Sequence, residues 1–153
     1  MNLVEQHIID INHSFYKECD ELCFKSKNIY NLSLYRIKEG LKENSFDVIN
    51  RLYHIIKVED CFKDLPNKVS TATIISAQKC YKSYFNALKS YKLDQSKFKG
   101  VPSEPKFLNK TKGRYIISYN YQAISSSVYK KEHKIKLSGT NISFYTKIDS
   151  FDK

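Results

Sequence analysis

The chain has 153 residues, the size of one ordinary domain. Its 41% hydrophobic and 27% charged residues, with only four Gly and three Pro, exclude collagen-like, low-complexity and wholly disordered classes. Lys and Arg number 26 against 16 Asp and Glu, a net charge of +10 that points to a polyanionic partner.

No run approaches the ~18 uncharged apolar residues of a membrane helix. The start, Met1 to Glu5, shows no basic region followed by an apolar one. A cytoplasmic chain without membrane contact is therefore expected, nucleoid-associated when bound to nucleic acid. The charge is divided unevenly. Residues 1–65 hold nine basic and eleven acidic side chains, whereas residues 66–153 hold seventeen and five. Between 66 and 114, eleven basic residues face only Asp94 and Glu104, a one-signed stretch that solubility alone does not require. Lys supplies 23 of the 26 cations, a bias that a Lys-favouring genome would also produce.

In chain order, Phe15, Cys19, Leu22, Ser26, Ile29, Tyr30, Ser33, Leu34, Ile37 and Leu41 recur at three- and four-residue steps. This spacing predicts an amphipathic helix from about Ser14 to Glu43, with Asn12 or Ser14 able to cap it. Ser45 can cap a second helix, along which Phe46, Ile49, Leu52, Tyr53 and Ile56 share a side. A third helix begins after Pro66, since proline is tolerated in a first turn. Its apolar stripe is Val69, Thr73, Ala77, Cys80, Tyr84, Leu88 and Tyr91. Lys68, Lys79, Lys82 and Lys89 fall within an arc of ~80° nearly opposite. One side of that helix is thus built to pack and the other to present ammonium groups.

From Asp94 to Gly113 the periodicity vanishes. Lys97, Phe98, Lys99, Lys106 and Phe107 interleave cations with aromatic rings along a stretch punctuated by Pro102 and Pro105. Phosphates suit the cations and unstacked bases the rings. The stretch also reads as a solvated linker with two aromatics pinned to a core. After Gly113, residues 114–119, 122–125, 134–137 and 142–148 are short β-branched or aromatic runs, and Ser138 to Asn141 supply turn chemistry. The fold class expected is α+β: a helical half, a basic connection and a small antiparallel sheet.

Cys19, Cys23, Cys61 and Cys80 form no CxxC pair and have no matching His spacing, so buried free thiols are expected rather than a metal site or disulfides. No HExxH, GxSxG, phosphate-loop or GxGxxG motif occurs. The acids Asp20, Glu21, Glu39, Glu43, Glu59, Asp60 and Asp64 read as helix-surface charges, and Asp149 and Asp152 lie in the tail. Catalytic residues, metal ligands and cofactors are expected to number none.

Several strings carry a resemblance: residues 7–13, 23–31, 65–70, 97–100, 110–114, 122–125 and 135–140, among them Leu65-Pro66-Asn67, Lys97-Phe98-Lys99-Gly100 and Leu137-Ser138-Gly139-Thr140. In order and spacing, over nearly the whole chain, they resemble the N-terminal part of TnpB (OrfB). That family comprises transposon-encoded, RNA-guided nucleases related to type V CRISPR effectors. The resemblance implies a helical recognition lobe inserted in a small wedge-type β-barrel. Residues 1–12 would hold the first wedge strand and 13–93 the helical lobe. A basic connection at 94–113 and wedge strands with a tail at 114–153 would follow.

It further implies contact with guide-type RNA, the RNA–DNA heteroduplex and a target-adjacent DNA motif, read through backbone and shape. The candidate contact residues are Lys68, Lys79, Lys82, Lys89, Lys97, Lys99, Lys106, Phe107, Lys110, Lys112 and Arg114. The family's catalytic Asp/Glu/Asp set and Cys cluster fall beyond Lys153, and the four Cys here do not correspond to that cluster. A binder that does not cleave by itself is thus expected. Glu104 stands where a phosphate contact would be repelled. Two alternatives accompany this reading. One is a protein–protein module docking on a separately encoded RuvC-bearing half, on a full-length relative or on itself. The other is half of a split nuclease.

Overall fold

The computed structural model describes residues 4–43 and 45–148, with the side chain of Phe46 left aside. Leu3 of the expected first wedge segment, and Asp149 and Asp152 of the tail, lie outside the described residues. Two long helices dominate, α1 (Tyr16–Lys42) and α5 (Asn67–Leu93). Their contacts advance in step. Ser26 meets Thr73 hydroxyl to hydroxyl at 3.1 Å, and Ile37 and Leu41 lie beside Tyr81 and Leu88. The pair therefore runs parallel, and the chain must return between them.

That return is made by α2 (Phe46–Asn50), α3 (Leu52–Ile56) and α4 (Asp60–Lys63). The sequence reading foresaw one helix here; the backbone instead breaks at Arg51 (φ −98°, ψ 9°), and the two pieces pack separately along α1. Leu52, Ile56, Phe62 and Leu65 are buried and join Leu22, Ile29, Leu34, Ile37, Val69, Ile74 and Ala77 in one core. Ser70 ties the layer down by donating to the Phe62 carbonyl at 2.8 Å, and Gln78 donates to the Ile49 carbonyl at 3.1 Å. Tyr81 replaces Tyr84 and Leu88 as a fully packed position, so the buried side of α5 is rotated from the expected stripe.

Gly40 lets α2 approach α1. A Cβ there would lie 2.7 Å from the Val48 Cβ, closer than real contacts allow. Alanine at a helix-interior glycine ordinarily gains up to about 1 kcal/mol, but overpacking of this kind costs about 1–3 kcal/mol. Gly40→Ala is expected to lower stability despite its better helix propensity. Thermal melts of the Gly40→Ala/Val48→Gly cycle should show the cost shrinking once Val48 loses its side chain.

The opposite flank of the pair is covered by an extended strap. After a short 3-10 turn at Gln95–Lys97, the chain runs back along α1. Asn31 clamps it, donating to the Leu108 carbonyl and accepting from the Leu108 amide, both at 2.9 Å. Ser26 donates to the Ile116 carbonyl at 3.0 Å, the Tyr115 amide to the Cys23 carbonyl at 3.0 Å, and the Tyr115 ring stacks on Tyr30 at 4.0 Å. Residues 114–120 alternate exposed and half-buried as a strand would. The expected strand at 114–119 is nevertheless not one: its inward side chains pack on a helix, and among the described residues no neighbouring strand supplies a ladder.

Among the described residues the sheet has two strands, β1 (Lys134–Lys136) and β2 (Ser143–Tyr145), antiparallel with Ile135 opposite Phe144. Residues 122–125 contribute a 3-10 turn (Tyr121–Ala123) and a single bridge, Ile124 to Leu137, in place of the expected strand. A short helix, α6 (Ser126–Glu132), which the sequence reading did not foresee, is capped by the Ser125 hydroxyl and ends at His133 in the left-handed region (φ 50°). Gly139 (φ 73°) makes the β1–β2 turn against Pro66, where a Cβ would come within 2.9 Å. Residues 4–10 form no strand; Glu5 accepts from the Thr146 hydroxyl and His7 stacks on Phe144 at 5.1 Å. The fold is thus α+β, mostly helical, and among the described residues the sheet closes no barrel. No described helix is long and apolar enough to cross a membrane.

Candidate nucleic-acid interface

Lys68, Lys79, Lys82 and Lys89 are all exposed, as the helical wheel required. They form a ridge along the outer edge of α5, because the opposite side of that helix is buried on α1. The strap adds Lys99, Lys106, Lys110 and Lys112, also exposed. Among the described residues none of these eight lysines takes part in an ion pair. Unpaired exposed ammonium groups keep their charge available to an anion, and binding one costs no broken bridge.

Three of the predicted residues are committed within the protein. Lys97 pairs with Asp94 at 3.3 Å across a turn that Asp94 also caps. Arg114 grips Asp20 with two hydrogen bonds of 2.6 and 2.7 Å and lies 5.1 Å over the Phe24 ring. Phe107 is half-exposed with the Lys38 ammonium 4.9 Å from its ring centre. Glu104, expected to repel phosphate, is answered by that same Lys38 at 3.2 Å. Sequence reading missed Lys38 because it lies in the acid-balanced half, 66 residues before Glu104 in the chain. Its proximity comes only from the antiparallel course of strap and α1.

Lys27 was also missed. Its side chain is 2% exposed, its ammonium donates to the Lys110 carbonyl at 2.7 Å, and it sits 3.9 Å from the Phe24 ring centre. Burial, then the nearby Arg114 and Lys110 charges, push its pKa below the ordinary lysine value. Lys27, Lys110 and Arg114 therefore make an electropositive corner where strap meets α1.

The Arg114 hydrogen bond holds the Asp20 carboxyl below the usual aspartate range. A depressed folded pKa contributes stability above the unfolded value and loses it as pH falls through the folded one. Wild type should therefore exceed Asp20→Asn in stability by a constant margin above the usual aspartate range, and acid titration should show that margin closing as pH falls through the range toward the lowered value.

Between the ridge and the strap lies an open cleft of about 640 Å³ formed by Tyr30, Ser76, Lys79, Cys80, Tyr84 and the 102–105 stretch. Cys19, Cys23, Cys61 and Cys80 are half-buried free thiols. Burial is the leading cause raising the pKa of Cys19, Cys23 and Cys61, which makes them poor thiolates. Among the described residues no group of three or more His, Cys, Asp or Glu is placed to hold a metal ion.

Among the described residues, the structure thus divides the predicted set into lysines without ion pairs on ridge and strap, the paired Lys97 and Arg114 at the strap's ends, and Phe107 held by Lys38 between them. No family model, curated protein or solved structure matches this chain.

Proposed function

We propose that this protein binds nucleic acid through the phosphate backbone, as a TnpB-like recognition-and-wedge part binding guide-type RNA and target-adjacent DNA, without cleaving it alone. The observation that carries the reading is the set of eight exposed lysines, free of ion pairs among the described residues, on two adjoining elements. An inserted helical lobe is supported by the meeting of Glu5 and His7 with Thr146 and Phe144, which brings the two ends of the described chain together around the helices. The wedge-type barrel belongs to this proposal as well, with β1 and β2 as its described strands.

A second reading, docking on a RuvC-bearing protein or on a second copy, is favoured by apolar side chains left open near the sheet. Val4, Ile8 and Ile11 are 91%, 80% and 73% exposed.

The two differ in salt dependence. Filter binding of a short RNA hairpin and a duplex DNA between 50 and 200 mM salt should give a log–log slope steeper than about −4 for the duplex if five or more lysines neutralise phosphates. Affinity independent of salt, or none at 50 mM, would overturn the nucleic-acid reading. A self-associated species that persists in high salt on sedimentation would favour docking instead.

A further inference from the structure

The return layer α2–α4 covers the first part of α5 and begins at α2, against Ile49 and Gln78. Beyond it, among the described residues, α1 and α5 continue uncovered and leave a groove of about 720 Å³. Ile37 and Leu41 of α1 form one wall, Tyr81, Phe85 and Leu88 of α5 the other, and Ile49 closes one side. These residues are four, four and three apart, the ridge spacing into which a further helix packs. The α5 wall from Gln78 to Lys92 spans ~21 Å at helical rise. Lys82, Lys89 and Lys92 rim it; no carboxylate lines it, and among the described residues none of the three lysines is in an ion pair.

We propose that this groove is a docking site for an acidic amphipathic helix of a partner polypeptide, whose apolar stripe would continue the α2–α4 layer. Its acidic flank would meet the three lysines. The spread of those lysines over three turns decides the occupant. A fatty-acid chain has one anionic end and would leave the others unanswered. A second copy brings its own excess of +10 against like charge. A phosphate backbone, the part of a nucleic acid that the lysine ridge would meet, has no use for an apolar floor. Lys92 escaped the sequence reading because its wheel position falls on the apolar side of α5, exposed here only because the cover ends.

This site shares Lys82 and Lys89 with the phosphate-binding set, whereas its apolar floor and Lys92 lie outside that set. The test uses the full chain and two labelled synthetic helices of about 18 residues. Both carry Leu at i, i+3, i+4 and i+7, one with Glu flanks and one with Lys flanks, read by fluorescence anisotropy. The acidic helix should bind at least about tenfold tighter than the basic one. Lys89→Glu/Lys92→Glu should invert that preference, and Phe85→Ala should weaken the acidic helix while circular dichroism shows the fold retained. Equal binding of both helices, no binding of either, or a preference unchanged in the charge-swapped variant would overturn the proposal. So would displacement of the acidic helix by micromolar palmitate, or occupation of the groove by a second copy in sedimentation. Loss of RNA and duplex binding with the acidic-helix preference intact would overturn only the phosphate reading.

Discussion

Ile29→Ala is expected to cost about 2–5 kcal/mol of unfolding free energy. Ile29 is 0% exposed and lies on α1 in the core shared with α5. Deleting its outer carbons forfeits their transfer from water and leaves a void. Collapse into that void is resisted from both flanks. The return layer is held by Ser70 and Gln78, and the strap by Asn31 and Ser26. Urea unfolding should show a lower midpoint with an unchanged slope. The matched control is Ile116→Ala, at a position 70% exposed on the outer side of the strap. It should stay within about 0.5 kcal/mol of wild type. A cost below about 1 kcal/mol at Ile29 would mean that α1 and α5 do not pack as described.

Replacing Lys99, Lys106, Lys110 and Lys112 together with Gln is expected to weaken duplex and hairpin binding alike. Each phosphate neutralised contributes about 0.9 to the salt slope. Losing four should flatten it by about 3–4 and lower affinity near 0.1 M salt by about two to three decades. The effect should be uniform across sequences, because backbone contacts position a protein without reading bases. The same change at Lys97 and Arg114 should cost less per residue. These cations are already answered by Asp94 and Asp20, so their field is partly cancelled and a bridge must open before phosphate is met. Equal losses from the paired and unpaired sets would refute the division between them. Unchanged binding in the fourfold variant would remove the strap from the interface.

Part of this architecture is legible in the amino-acid sequence. The three- and four-residue apolar steps from Phe15 to Leu41 predict a helix over 14–43, and α1 spans Tyr16–Lys42. Pro66 marks the start of α5, and the Lys68, Lys79, Lys82 and Lys89 arc emerged exposed. Periodicity is a local property of the backbone, and the side of a helix follows from it. What periodicity does not encode is the identity of the neighbour. The alternation at 114–119 is real in the burial of Tyr115, Ile117 and Tyr119, yet a helix lies beneath it, so no strand forms. The return segment shows one continuous apolar pattern, but closing the parallel pair α1–α5 within two dozen residues forces a break at Arg51. In sequence, Ser125 reads as the end of a strand. Its hydroxyl instead caps α6, because a Ser-rich start supplies both extended and capping chemistry.

The amino-acid sequence by itself determined the excess of +10, its concentration after residue 66, the two long helices and the lysine arc on one of them. Tertiary structure alone decided which cations are free. Arg114 meets Asp20 across 94 positions, Lys38 reaches Glu104, and Lys27 is buried under the strap. It also decided that α5 is covered along its first part and open along its second, which leaves Lys92 exposed beside an apolar groove. Charge is written residue by residue, but screening, pairing and burial depend on distances in space. Those distances are set here by how a parallel helix pair is closed on one flank by a return layer and on the other by a strap.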